Sequence, residues 1–337
     1  MIFRDRVNAF SILLKILTKS SQKKSFNSIL EKVEKNNPWF VKENVQYAII
    51  AICHMLYPNK LDKWMDNYDL GESSVKKIGV IVPSNIPLVG FYDFICVLLS
   101  GNIFIGKLSV KNNVLLPFLA DLLIDINADF KHYIHFKHEL LDIDLLIATG
   151  DDNSADYFNY LFSSIPRIIR KHRNSICVLD GLETKDDYLN LMSDILMYYG
   201  LGCRNISKIY VPDNYDLTIL QSYLKDHFNE KISKNYLDNY IFQKTKYTLN
   251  QVEFIDCNHT LLIESKHINA PIGVIYYEFY NNIDAVKKYL TDHSELIQCV
   301  VSNQYVFDRI ISFGKSQIPE LHDTPDGVDV MHFICSN

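Results

Sequence analysis

The residues best equipped for chemistry lie in Tyr198-Tyr199-Gly200-Leu201-Gly202-Cys203-Arg204-Asn205-Ile206-Ser207. A thiol in a glycine turn can be exposed among backbone N–H groups, and a neighbouring arginine favours the thiolate, the form that attacks a carbonyl carbon. Cys203 is therefore a candidate nucleophile; the alternative is a small apolar side chain that simply packs. Upstream, Leu189, Leu191, Met192, Ile195 and Leu196 recur at helical spacing between Tyr188 and Met197. Gly200 and Gly202 can stop that helix by taking backbone angles other residues resist. Downstream, Ile206 to Val211 reads as a strand ending at Pro212.

Three predicted strand ends nearer the N-terminus carry further candidates. Pro83-Ser84-Asn85-Ile86-Pro87 follows the first, Lys107-Leu108-Ser109 the second, with Lys111 just beyond, and Thr149-Gly150-Asp151-Asp152 a later one. Asn85 can cap its turn or donate its amide to a ligand, and Lys107 is either a solvated strand end or a ligand contact. Thr149-Gly150 serves equally as an ordinary strand-to-helix turn. No G-x-G-x-x-G is present, so any dinucleotide would be held by an atypical turn. Arg167, Arg170, Lys171, His172 and Arg173 form a basic cluster that reads as a solvated face or, alternatively, a phosphate site. His267, just before Asn269-Ala270-Pro271, is a candidate acid, with a structural histidine as the plainer reading.

The elements that must position these residues alternate. Val7 to Tyr57 is helical with a break at Asn37-Pro38. Strands then follow at Ile78–Val82, Ile103–Leu108, Tyr133–Phe136, Asp144–Ala148 and Ser175–Asp180, separated by helices at 88–99, 115–126 and 154–162. Near-continuously apolar strands divided by helices imply a parallel sheet covered on both faces, which binds ligands at its carboxyl edge. Beyond Cys203 come helices at Leu217–Phe228 and Asn235–Tyr247, strands at Thr260–Glu264 and Ile272–Phe279, a short helix at Asn282–Tyr289 and a strand at Ile297–Val301. The fold class is α/β, with two α/β lobes of parallel-type sheets and an N-terminal helical segment. The expected domains are 1–180, the N-terminal helices with a dinucleotide-binding domain; 181–312, a catalytic domain with the cysteine; and 313–337, an arm with no obvious element.

At 337 residues the chain exceeds what one core usually fills. A net charge of −6 without a dense basic tract argues against nucleic acid as a partner. Seven scattered cysteines with no C-x-x-C pair imply reduced thiols in a cytoplasmic protein, and no metal is expected. The apolar run Ala9–Leu17, interrupted by Ser11 and Lys15, is too short to span a membrane.

In that order the motifs resemble the aldehyde dehydrogenase superfamily, and within it the acyl-CoA reductases similar to the fatty-acid reductase of bacterial luminescence. Pro83-Ser84-Asn85-Ile86-Pro87 is similar to the turn whose asparagine amide holds the substrate oxyanion, which implies that role for Asn85. Gly106-Lys107-Leu108-Ser109 resembles the strand end that meets the adenosine ribose, and Thr149-Gly150 the turn near the pyrophosphate, although Asp151 and Asp152 replace small residues there. Gly202-Cys203 matches the nucleophile turn, and Phe313-Gly314-Lys315 resembles a phenylalanine-glycine-glycine segment near the active site. Where relatives carry a general-base glutamate this chain has Ile169-Arg170-Lys171-His172, and where hydrolytic members carry a cofactor-orienting glutamate it has His267. The resemblance implies NADPH or NADH as cofactor, with Lys111 as a contact for a 2′-phosphate, and an acyl-CoA or an acyl-carrying protein as partner. It implies reduction of a long-chain acyl thioester to the aldehyde through an acyl-Cys203 intermediate, with a homo-oligomer allowed. An acylating aldehyde dehydrogenase, an acyl transferase and a non-catalytic scaffold of the same fold are the alternatives.

Overall fold

The computed structural model describes all residues but 21–23, 58–59, 71–73, 228–231 and 305–309. The chain packs as two units, Met1–His172 with Ile318–Asn337, and Arg173–Gln317.

The first unit opens with four helices, α1 (Phe3–Ser20), α2 (Lys24–Asn36), α3 (Lys42–Met55) and α4 (Lys60–Met65). Phe10, Leu13 and Leu17 bury one stripe of α1, the three-to-four spacing that makes a helix amphipathic. α2 stops two residues before Pro38, whose ring disfavours helical angles in the residue ahead of it. Then β1 (Lys77–Val82), α5 (Phe91–Leu99), β2 (Ile103–Leu108), α6 (Leu115–Ile126), β3 (Ile134–Phe136), β4 (Leu145–Thr149), α7 (Asp152–Leu161) and β5 (Arg167–Arg170) follow. The five strands form a parallel sheet in the order β3-β2-β1-β4-β5. The chain leaves β1 on one side for β2 and β3 and resumes on the other with β4. This reversal opens a switch point at the carboxyl ends of β1 and β4, where sheets of this kind take ligands.

While Lys171 and His172 lie on a solvated face as expected, β5 corrects the reading of one member of the basic cluster. Its Arg170 is neither solvated nor available to phosphate: only 5% of its side chain is exposed, and it forks onto Asp93 through Nη1 at 2.8 Å and Nη2 at 2.7 Å. An edge strand of four residues with an arginine at each end reads as a charge run because the partner carboxylate lies 77 positions away.

The second unit contains β6 (Asn174–Val178), α8 (Lys185–Leu196), β7 (Ile206–Pro212), α9 (Leu217–His227), α10 (Lys234–Leu249), β8 (Ile255–Asp256), β9 (Leu261–Glu264), β10 (Val274–Tyr280), α11 (Ile283–Asp292), β11 (Ile297–Val301) and β12 (Ile310–Ile311). Phe228, the expected last residue of α9, lies outside the described residues. The sheet runs β12-β11-β6-β7-β10-β9-β8, parallel except for β8. Alternate residues of β6 serve two cores: Cys177 joins Leu191, Ile195 and Ile209 on one face, while Ile176 and Val178 join Tyr210, Leu290 and Val300 on the other. Both faces are covered, which is why these strands read as continuous apolar runs.

The first packing boundary falls at His172/Arg173 rather than after residue 180, because β6 pairs with β7 and β11. Residues 313–317 stay with the second unit, whereas Ile318–Asn337 pack in the first. There Tyr92 Oη donates to Leu321 O at 3.1 Å and Lys60 Nζ meets Glu320 at 2.7 Å. The tail is not devoid of structure: α12 (Val330–Ser336) is capped by Asp329, which accepts the His332 N–H at 2.9 Å and the Tyr68 hydroxyl at 3.0 Å. Seven residues are too few to display a helical period in sequence. Among the described residues, no helix is long and apolar enough to cross a membrane.

Candidate active site

In the second unit, α8 ends at Leu196 and the backbone then takes left-handed angles three times in succession, at Tyr198 (φ 53°), Tyr199 (φ 58°) and Gly200 (φ 75°). The sequence assigned this duty to Gly200 and Gly202; Gly200 performs it, and two buried tyrosines perform the rest. Left-handed angles strain any residue bearing a Cβ and persist only where the surroundings over-determine them. Asn205 does much of that. Its Nδ2 donates to the carbonyls of Asp194 (3.2 Å), Ile195 (3.1 Å) and Met197 (2.8 Å), closing the C-terminal turn of α8. Its Oδ1 accepts the Gly202 N–H at 2.8 Å, and its own N–H returns to the Gly202 carbonyl at 3.0 Å. Cys203 is thus clasped between two residues bonded to each other.

Cys203 is half-buried, whereas Cys96, Cys177 and Cys257 are fully buried. Burial pushes the Cys96 and Cys177 thiols well above their ordinary value and Cys257 to about 12, so these stay protonated. Cys203 O accepts from Ser175 Oγ at 2.9 Å, and the same hydroxyl lies 3.0 Å from Cys299 Sγ. Beside the turn lies a small pocket, about 30 Å³, of mixed polar and apolar lining, whose wall includes Leu196, Tyr199, Asn205, Ser207, Tyr236 and Thr260.

His267 lies exposed on the crossover from β9 to β10, its N–H donating to Ser265 Oγ at 3.1 Å. Two successive residues of β7 fasten that crossover. Ser207 Oγ donates to Ile268 O at 2.6 Å, and Lys208 Nζ donates to Ser265 O and, at 2.5 Å, to Glu278. Lys208 has no exposed surface, and burial lowers its pKa against the opposing pull of Glu278. Neither Lys208 nor Asn205 stood out in the sequence; a lysine inside an otherwise apolar strand was the available signal. Cys203 precedes β7 and so sits at the amino edge of its sheet, where the carboxyl-edge rule does not point.

In the first unit that rule does apply. Asn85 is half-buried in the turn after β1, and two other asparagines hold the turn: Asn37 Nδ2 donates to Ser84 O at 3.2 Å and Asn112 Nδ2 to Pro83 O at 2.7 Å. Lys107 is exposed at the end of β2, beside Ile81 of β1, followed by half-buried Ser109 and exposed Lys111. Thr149 ends β4 and Gly150 follows it, with the Gly150 N–H donating to Arg170 O at 3.1 Å. All six residues share the carboxyl edge, on either side of the switch point. Asp151 caps α7, taking the Ser154 N–H at 2.8 Å, and hydrogen bonds from the Ser154 side chain and N–H hold its carboxyl below the usual range. A nicotinamide dinucleotide suits this edge at Lys107 and Ser109, which offer donors to a ribose. The helix N-terminus that would face its pyrophosphate is already spent on a carboxylate. Among the described residues, no cluster of His, Cys, Asp or Glu could hold a metal ion.

The chain is similar in fold to a NAD-dependent benzaldehyde dehydrogenase from Corynebacterium glutamicum, with 12% identity and a TM-score of 0.70 over 94% of this chain and 83% of that one. Aldehyde dehydrogenase 21 from Physcomitrella patens, solved with succinate, also gives a TM-score of 0.70 at 12% identity, covering 98% of this chain and 79% of the other. A glyceraldehyde-3-phosphate dehydrogenase from Methanocaldococcus jannaschii, complexed with NADP, gives 0.66 at 12% identity over 94% and 82%. No curated protein matches the chain. Residues 17–266 match the family described as acyl-CoA reductase (LuxC), a span that holds every candidate above except His267. The chain belongs to the LuxC acyl-CoA reductase family.

Proposed function

We propose that the protein reduces a fatty acyl-CoA to the aldehyde with NADPH or NADH, through a thioester on Cys203. The observation that carries this reading is the family match over 17–266, joined to a half-exposed cysteine in a turn clasped on both sides by Asn205 and Gly202. Cys203 Sγ attacks the thioester carbonyl carbon; the new C–S bond replaces the bond to CoA, which leaves as a thiolate. One thioester replaces another, so the exchange costs little free energy. The Cys203 backbone N–H is the proposed donor to the developing oxyanion, and the Asn85 amide takes the same role by resemblance. A bound reduced nicotinamide supplies the hydride that converts the acyl group to aldehyde.

The residues in place of the usual carboxylates support reduction over hydrolysis. Arg170 is locked to Asp93, and His267 replaces the cofactor-orienting glutamate. Water without a general base is a poor nucleophile, so the acyl-cysteine persists until it is reduced. Lys107, Ser109, Thr149 and Gly150 hold the dinucleotide, with Lys111 as the contact for a 2′-phosphate and His267 as an acid for the last proton transfer. The NAD dependence of one structural relative and the NADP complex of another agree with a nicotinamide cofactor.

The test incubates the protein with acyl-CoAs of increasing chain length and follows NADPH or NADH oxidation, with mass mapping for an acyl adduct on Cys203. Aldehyde release with cofactor oxidation is expected. An adduct without oxidation would favour the acyl transferase, and an unmodified Cys203 the scaffold.

A further inference from the structure

Asp194, in the last turn of α8, is 1% exposed, and its carboxylate accepts three hydrogen bonds from one distant turn. The Gly314 N–H donates to Oδ2 at 2.6 Å, and the Ser316 N–H and hydroxyl donate to Oδ1 at 3.0 and 2.6 Å. The two N–H partners can only donate and favour the ionised carboxylate, although burial pushes its pKa above the usual range against these bonds. The contact is fitted to glycine: Gly314 has φ +77°, and a Cβ there would lie 2.9 Å from the Asn190 amide oxygen of the same helix. Phe313 beside it is buried against the α8 core. On its other side the same turn of helix is fixed to the nucleophile: the carbonyls of Asp194, Ile195 and Met197 all accept from Asn205, which also takes the Gly202 N–H.

We propose that Asp194 is a positioning residue, setting the Phe313-Gly314-Lys315 turn in register with the Cys203 turn through the end of α8. The inference deepens the acyl-cysteine reading and rests on it for its kinetic consequence only. One rigid segment carries both turns, so loosening either changes where Cys203 Sγ sits relative to the groups that receive its acyl chain. A structural role alone would lower stability and leave the reactivity of the folded protein unchanged.

The experiment uses full-length Asp194→Asn and Ser316→Ala. Three readouts are compared with the wild type: thermal unfolding, the rate of Cys203 alkylation by iodoacetamide read from peptide masses, and kcat and KM for acyl-CoA. Asp194→Asn replaces one carboxylate oxygen by an amide NH2 that must face an N–H donor, and removes the charge, and is expected to slow alkylation and lower kcat at least about tenfold in the folded state, the size of one hydrogen bond to a charged group. Ser316→Ala removes one of the three bonds and is expected to act in the same direction by a smaller factor, with KM for acyl-CoA little changed. Alkylation at the wild-type rate in folded Ser316→Ala and Asp194→Asn overturns the proposal; should Asp194→Asn fail to fold, Ser316→Ala alone decides. If the wild type oxidises no nicotinamide with any acyl-CoA, the functional reading fails, and the alkylation rates still decide the positioning role.

Discussion

Lys208 Nζ lies 2.5 Å from Glu278 Oε2 across β7 and β10, with the lysine wholly buried and the glutamate side chain 29% exposed. The pair, with the bond from Lys208 to Ser265 O, ties the His267 crossover to the strand that follows Cys203. Removing the glutamate leaves a buried charge without its counter-ion, whereas replacing the lysine leaves a half-open carboxylate that water can reach. Glu278→Gln should therefore destabilise more than Lys208→Met, by about 3–5 kcal/mol against wild type, read from urea unfolding midpoints.

The same lysine predicts a pH dependence. Burial lowers its folded pKa from 10.5, so the folded state holds this proton less tightly than the unfolded chain does. Its desolvation penalty is present in full below the lowered value and disappears as pH rises toward 10.5. The unfolding free energy of the wild type should rise relative to Lys208→Met across that alkaline window; a constant difference would contradict it.

Thiol reactivity should separate by burial. At pH 8, iodoacetamide is expected to label Cys203 before Cys96, Cys177 and Cys257, whose raised pKa values keep them protonated and whose side chains are covered. Peptide mapping over a time course checks this, and urea should equalise the four. Cys203→Ser should abolish aldehyde formation.

Asn205 offers a sharper contrast. Asn205→Ala orphans three carbonyls and the Gly202 N–H, at about 1–3 kcal/mol for each group left buried without a partner. Asn205→Asp keeps the acceptor for Gly202 but points a carboxylate at those carbonyls, so it should be at least as damaging as alanine. Thermal unfolding and Cys203 alkylation report the two effects separately.

Arg170 should be essential to the first unit for reasons unrelated to phosphate. Burial alone would lower its pKa, but Asp93 and Asp326 more than offset this and raise it. Arg170→Ala strands the buried Asp93 and loosens the hold on Asp326, 3.6 Å from Nε. The expected cost is about 3–5 kcal/mol, with earlier proteolysis within 318–337.

The sequence by itself determined the alternation of apolar strands and helices, the turns at Asn85, Lys107 and Thr149, and the glycine turn of Cys203. Each of these is local: a period of two or of 3.6, a proline, a glycine, a cysteine beside it. Only the tertiary structure decided which strand lies beside which, and hence that β6 belongs to the second unit and that the last twenty residues return to the first. It also decided the partners of Arg170, Lys208, Asp194 and Asn205, because a buried charge or amide has meaning only through groups that folding brings to it from far along the chain.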